Sequence, residues 1–300
     1  ELLALVRSTS KRDSVLVDTA LAAGAEVVHG QSVVDLIWDE HGRVRGARIS
    51  GADRQVVDVE ATLVIGADGV RSRMARILGL EAYATASHAT ASIYGYWRGL
   101  GLEGYHWYYD LGAAVGSIPT NAGETCVFAS VPQRRFENLR SGGLEALYFE
   151  ALKDVSADLA ERVARSDGPG KLRAFAGEPG FLRRATGPGW ALVGDAGYFR
   201  DPLTAHGITD ALREAEFLSH AVLEGTDAAL IRYQASRDER VRGLLAVTDQ
   251  IASFEWNMRE VKDQHLVLAR EMNALVDAVR SLDPKVRGRV TSASGRKNAA

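Results

Sequence analysis

The sequence predicts an α/β fold in which one domain is divided along the chain and holds an antiparallel α+β insertion. Three observations predict it. An apolar strand runs into a glycine-containing turn and then a helix at residues 62–72, and the same succession returns at 190–208. Between them, from about Tyr83 to Arg184, strand-like segments follow one another with turns between. The chain therefore leaves one domain at a buried strand and returns to it at another. The boundaries that follow are 1–82 and 185–285 for the divided domain, 83–184 for the insertion and 286–300 for a small, polar, flexible tail.

Each element has its own signal. Residues 14–23 place Leu16, Val17, Ala20 and Leu21 on one helical face, and Gly24 stops the helix. Glu26–His29 is a short strand. Val33–Trp38, Arg43–Ile49 and Val56–Val59 form an antiparallel meander, separated by the polar turns Asp39–Gly42 and Ser50–Asp53. Thr62–Ile65 is uniformly apolar, as a buried parallel strand is, and a helix begins near Arg71. In the insertion, residues 89–98, 105–109, 113–118 and 125–131 are strand-like. Leu144, Leu147, Ala151, Leu152, Val155, Leu159 and Val163 recur at helical spacing and predict one long amphipathic helix. Ile208, Ala211, Leu212, Ala215, Leu218 and Val222 repeat that pattern after the Trp190 strand, and helices over 227–239, 241–258 and 262–281 complete the chain. There is no internal repeat.

The bulk properties exclude several classes. With 36 basic and 39 acidic residues the net charge is −3, which offers nothing to nucleic acid or to an anionic membrane. No apolar run approaches the roughly 18 residues of a membrane span. The single Cys126 lies in the apolar run Thr125–Ala129 and reads as a buried structural thiol, which points to a reducing, cytoplasmic location. The opening Glu1–Arg7 has the wrong charge order for a signal peptide and lacks an initiator Met, so a trimmed chain or part of a longer one is expected.

Two motifs carry chemistry. In the first, Gly194-Asp195-Ala196 is followed by Asp201-Pro202 and then His206-Gly207-Ile208. The Asp195 carboxylate can bind sugar hydroxyls, and the helix start offers unpaired N–H groups to an electron-rich ring edge. In the second, Gly66-Ala67-Asp68-Gly69 precedes Arg71, which at a helix start can pair with a phosphate. Each alone also reads as a capped, glycine-containing turn.

Together, and in this order, the two motifs resemble those of the FAD-dependent monooxygenases, the aromatic-hydroxylase or group A flavoprotein family. The resemblance implies an FAD-binding Rossmann-like domain of the glutathione-reductase type. It implies that Asp195, beside Gly194, holds the ribityl chain and that Pro202 packs near the reactive ring. The backbone of Gly207 and Ile208 would face the pyrimidine edge, while Asp68, Gly69 and Arg71 touch FAD and the pyridine-nucleotide pyrophosphate. FAD is then the cofactor and NAD(P)H the reductant, and one oxygen atom of O2 enters a small organic substrate. The chemistry is flavin-borne and no catalytic residue is assigned; Pro202 and His206 are the candidates near the ring, and His206 reads equally as a residue whose backbone matters. Two alternatives stand beside this reading: a non-catalytic truncated or split flavoprotein fragment, and a flavin-dependent reductase or halogenase of the same fold. The halogenase motif Trp-x-Trp-x-Ile-Pro is matched only by Ile118-Pro119, without the tryptophans.

Gly99-Leu-Gly101-Leu-Glu-Gly104 has the letters of a dinucleotide fingerprint, with Glu124 twenty residues on, but a strand and not a helix follows. It reads as a hairpin turn. The fingerprint expected from the resemblance is missing, so the divided domain is expected to lack its first βαβ unit and the isolated chain to bind FAD weakly or not at all. Neither Arg7 nor Arg12 falls at the place of an early FAD-contacting arginine. A homo-oligomer or a missing N-terminal segment is the expected partner besides the substrate. Tyr94, Tyr96, Trp97, Tyr105, Trp107, Tyr108 and Tyr109 cluster in the insertion, where one alternating face either walls a substrate cavity or packs as cross-strand pairs.

Overall fold

A computed structural model describes residues 3–6, 11–120, 123–139, 142–168 and 171–282; Arg7 and the 286–300 tail lie outside them. Strand β1 (Leu3–Val6), helix α1 (Lys11–Ala22) and strand β2 (Glu26–His29) form a strand–helix–strand unit with β1 and β2 parallel. β1 falls in the opening segment, which the sequence pattern did not mark as a strand. The expected meander follows as β3 (Ser32–Trp38), β4 (Val44–Ser50) and β5 (Val56–Glu60). β6 (Val64–Gly66) leads into α2 (Arg73–Ile77), and β7 (Ala82–Thr85) comes next.

The inserted segment contains β8 (Thr90–Arg98), β9 (His106–Asp110), β10 (Ala113–Pro119), β11 (Glu124–Pro132), α3 (Gln133–Leu139), α4 (Leu144–Val155), α5 (Ala157–Arg165) and β12 (Arg173–Phe175). Its antiparallel sheet runs β12-β8-β11-β10-β9. Ile93, Val115, Ala129 and Val127 on one face pack under Leu147, Leu152, Leu159 and Val163 of α4 and α5. After it come β13 (Phe181–Arg183), β14 (Thr186–Gly187), β15 (Trp190–Leu192), β16 (Tyr198–Phe199), α6 (Gly207–Glu224), α7 (Asp227–Ala252) and α8 (Met258–Arg280).

The two α/β segments meet where β15 pairs in parallel with β6, Trp190 opposite Val64 and Leu192 opposite Gly66. Gly66 is required there. A Cβ on it would lie 2.7 Å from Leu192 Cδ2 and 2.8 Å from Met74 Sδ, so only glycine lets β15 and α2 close on β6. Leu36, Met74, Ala191, Leu192, Leu218 and Tyr233 form the core around this pair.

Four expectations change. The single helix over 144–163 is two, because Ser156 leaves the helix (φ −152°, ψ 95°) and its hydroxyl caps α5 by accepting from Leu159 N–H. Both helices rest on the same sheet, which keeps their apolar positions in phase across the break. The helices expected over 227–239 and 241–258 are one, α7, ending at Ala252 just before Phe254 turns to φ +55°. The Gly99–Gly104 segment is not a hairpin: β8 and β9 are separated by β11 and β10, so it is a crossing loop. Its three glycines all take positive φ, and β9 follows rather than a helix, so it is no phosphate loop. Finally, the strand expected at Thr62–Ile65 begins at Val64, and Ile65 is exposed rather than buried.

Candidate active site

Because β6 and β15 run parallel, the turns that follow them leave the same edge of the sheet, the position where α/β proteins place ligands. Val193 N–H donates to the Gly66 carbonyl at 3.0 Å and holds the two exits together. Gly194 takes φ +61° and opens a short 3-10 turn through Ala196. The half-buried Asp195 accepts no hydrogen bond from any described residue. Burial, with the nearby charge of Asp210, pushes its carboxyl up to about 6. A desolvated carboxylate without partners is costly, and ligand hydroxyls would relieve that cost.

On the β6 side, Asp68 Oδ2 accepts from Met74 N–H at 3.0 Å and so caps α2 together with Ser72. Gly69 takes φ +78°, with nothing near its Cα that a side chain would meet. Arg71 is exposed and pairs with no carboxylate among the described residues.

The Asp201-Pro202 segment forms a second 3-10 turn, Pro202–Thr204, capped by Asp201. The Asp201 carboxylate is 3% exposed. It accepts from Thr90 N–H at 2.6 Å, Thr90 Oγ1 at 2.5 Å and Leu203 N–H at 2.9 Å. Thr90 begins β8, so one carboxylate joins this turn to the inserted sheet. Burial pushes its carboxyl up to about 6. Ala205 then takes φ +55°, and His206 is the N-cap residue of α6 without a side-chain cap bond. The first bond closing the helix is Asp210 N–H to the His206 carbonyl, which leaves the N–H groups of the first turn unpaired at exposed Gly207 and Ile208. Pro202 is exposed on the preceding turn. Burial holds the His206 imidazole below its usual range, so it is neutral at pH 7, and its Nδ1 has no hydrogen-bond partner.

The spacing of Ile208, Leu212 and Val222 marks the wrong face of α6. These residues are exposed and only Leu218 of the expected face is buried, whereas Asp210, Glu214 and Ala221 are buried beside it. The reason lies in charges that the apolar pattern does not weigh. Asp210 is held between Arg200 Nε and Arg213 Nη1, both at 2.7 Å. Glu214 Oε2 accepts from Gly194 N–H at 2.9 Å, and burial pushes its carboxyl up to about 7. Asp201, Asp210 and Glu214 are the residues that sequence reasoning missed. Asp210 and Glu214 stand one helical turn apart and both follow a motif aimed at a ligand, which was the available signal.

The inserted sheet turns a mixed face toward these turns. Ala114 packs with Leu203 and with Leu244, Val247 and Ile251 of α7. One row further along, Tyr94, Phe128, Gly116 and Trp107 lie opposite one another across β8, β11, β10 and β9. Gly116 makes room for two rings: a Cβ there would meet Phe128 at 2.6 Å, and Phe128 and Trp107 pack with ring centroids 5.3 Å apart. Tyr96 and Cys126 share this face. Cys126 is therefore half-buried rather than a core residue, and burial pushes its thiol up to about 11. Trp97 and Tyr108 point the other way, into the helix-covered core, and Tyr105 is exposed. The aromatic cluster thus divides between a set on the sheet face away from the helices and a structural set.

FAD is the group that this fold implies, and the residues fit it. Asp195 is an unpartnered carboxylate suited to a polyol chain, and the start of α6 presents free N–H groups beside it. No helix among the described residues is long and apolar enough to cross a membrane.

Comparison with known proteins agrees with this fold and with an FAD-binding domain. A family model described as "FAD binding domain" matches residues 6–102. Digeranylgeranylglycerophospholipid reductase 1 of Methanopyrus kandleri is 32% identical over 269 residues, covering 83% of this chain and 68% of that protein. The fold is that of CmlS, a flavin-dependent halogenase, with a TM-score of 0.69 and 21% identity; the match covers 87% of this chain and about half, 51%, of CmlS. It is also that of PqsL, a probable FAD-dependent monooxygenase from Pseudomonas aeruginosa, with a TM-score of 0.63 and 21% identity over 87% of this chain and 72% of PqsL. By motif, fold and sequence, the chain belongs to the family of FAD-dependent oxidoreductases that includes the M. kandleri reductase.

Proposed function

We propose that this protein is an NAD(P)H-dependent monooxygenase that inserts one oxygen atom of O2 into a small organic substrate held between the cofactor turns and the inserted sheet. The observation that carries the reading is that Asp195 and the open start of α6 follow the β15 exit, while Asp201 of the same segment bonds to Thr90 at the start of the inserted sheet. When bound, FAD supplies the redox chemistry, taking electrons from the nicotinamide and reacting with oxygen. The chain's own residues bind, orient and exclude water. Asp195 would accept from the polyol chain, and Gly207 and Ile208 would donate backbone N–H groups to the electron-rich edge of the ring. Exposed Pro202 and the neutral imidazole of His206 would be the side chains nearest that ring. Asp68, Gly69 and Arg71 would form the pyrophosphate side, with exposed Arg71 as a cation for it. Tyr94, Tyr96, Trp107 and Phe128 offer flat, partly polar walls to a substrate.

A second reading, reduction of a carbon–carbon double bond, is favoured by the reductase of M. kandleri, the relative at 32% identity. Oxygen use separates the two. With purified, FAD-supplemented protein, the monooxygenase reading expects steady NAD(P)H oxidation that consumes O2 and is stimulated by small aromatic compounds. NAD(P)H oxidation that proceeds anaerobically to a hydrogenated product contradicts it in favour of the reductase.

A further inference from the structure

We infer that Glu214 is the positioning residue of the cofactor turn, setting where Asp195 stands relative to the start of α6; this rests on the assignment of Asp195 as an FAD ligand. Glu214 lies on α6, two turns beyond Gly207, and is 2% exposed. Its Oε2 accepts from Gly194 N–H at 2.9 Å, one residue before Asp195. The Tyr233 hydroxyl lies 3.4 Å from the same oxygen and 3.1 Å from the Leu192 carbonyl, bracing it against the end of β15. The contact has no slack, because a Cβ on Gly194 would lie 3.2 Å from Ala211 Cβ of the same helix. One rigid helix therefore presents its own N-terminus to the ring and grips the turn that carries the polyol ligand. The spacing between the two cofactor contacts is built into α6 by Ala211 and Glu214.

The nearby charges of Arg237 and Arg213 favour a carboxylate there, but they account for its charge and not for its bond to the cofactor turn. Glu214 Oε1 has no hydrogen-bond partner, and a buried carboxyl in this state is a poorer core group than an apolar side chain of similar size. Its one close contact with the cofactor turn is the bond to Gly194 N–H, which a glutamine amide oxygen can also accept.

The test is a double-mutant cycle on the FAD dissociation constant, read by quenching of flavin fluorescence, with the melting temperature of each FAD-free protein recorded alongside. Glu214→Leu is expected to weaken FAD binding about tenfold, and Glu214→Gln by no more than about threefold. In an Asp195→Ala background, Glu214→Leu should add less than about twofold, because it acts through the residue already removed. If Glu214→Leu does not fold, Tyr233→Phe takes its place in the cycle, with an expected loss of about threefold that likewise disappears without Asp195. Losses that multiply, or a Glu214→Leu protein that melts lower but binds FAD as wild type does, overturn the inference while leaving the FAD site standing. Wild-type affinity in Asp195→Ala overturns the ligand assignment itself, and with it this inference.

Discussion

At the residue scale, the site is a set of carboxylates placed where water is scarce. Among the described residues, Asp195 has no hydrogen-bond partner, Asp201 has three donors, and Glu214 uses one oxygen and leaves the other bare. The differences follow from what each does. Asp201 closes a structural junction, so its lone pairs are satisfied within the protein, whereas Asp195 keeps its own for a ligand. The two buried ones make stability depend on pH. Asp201 and Glu214 hold folded-state values of about 6 and about 7, above their ordinary 3.8 and 4.5. Below about pH 4 both states of the chain are protonated and the full stability is present; it is lost as pH rises from there, where the unfolded carboxyls ionise, to about 6 to 7, where the folded ones ionise too. The melting temperature of the FAD-free protein is expected to fall from pH 5 to pH 8, with a shallower fall in Glu214→Gln. A rising or flat profile contradicts these assignments. At the same scale, Asp201→Ala is expected to cost roughly 2–3 kcal/mol by stranding Thr90 and Leu203 donors, measured by urea unfolding.

At the element scale, the turns after β6 and β15 work because the strands approach closely. Gly66→Ala should destabilise the protein by about 1–3 kcal/mol, since both Leu192 and Met74 must move to admit the methyl group; unchanged urea stability would show that β6 has room to spare. The strands of the meander and of the insertion, and both glycine-containing turns, were legible in the sequence because their signals are local: alternation, a Gly-Asp step, a polar turn. The break at Ser156 was not. The apolar repeat runs through it unchanged, and only the return of Ser156 to cap Leu159 separates α4 from α5. The buried face of α6 was misread for a related reason. Hydrophobic spacing assumes that the core is apolar, and here Asp210 and Glu214 are inside because Arg200, Arg213 and Gly194 receive them.

At the scale of the whole molecule, the chain is two layers of function joined at a small junction. The parallel pair β6–β15 supplies the cofactor edge, the inserted sheet supplies an aromatic wall, and Asp201 bonded to Thr90 ties one to the other. Pairing order is where sequence reading ends, since β8 and β9 are consecutive strands but lie on opposite sides of β11 and β10. Nothing in the Gly99–Gly104 loop announces that crossing; it is settled by which strands bury Ile93, Val115 and Val127 under α4. Which of these residues meet FAD is decided most directly by titrating the purified chain with FAD, following flavin fluorescence and visible absorbance, in parallel with Asp195→Ala. Saturable binding with a shifted flavin spectrum, weak for want of the fingerprint and weakened about tenfold or more again by the substitution, is the result expected of a carboxylate that accepts from the polyol chain. Equal binding by both proteins would contradict the placement of the cofactor at the Gly194–Asp195 turn.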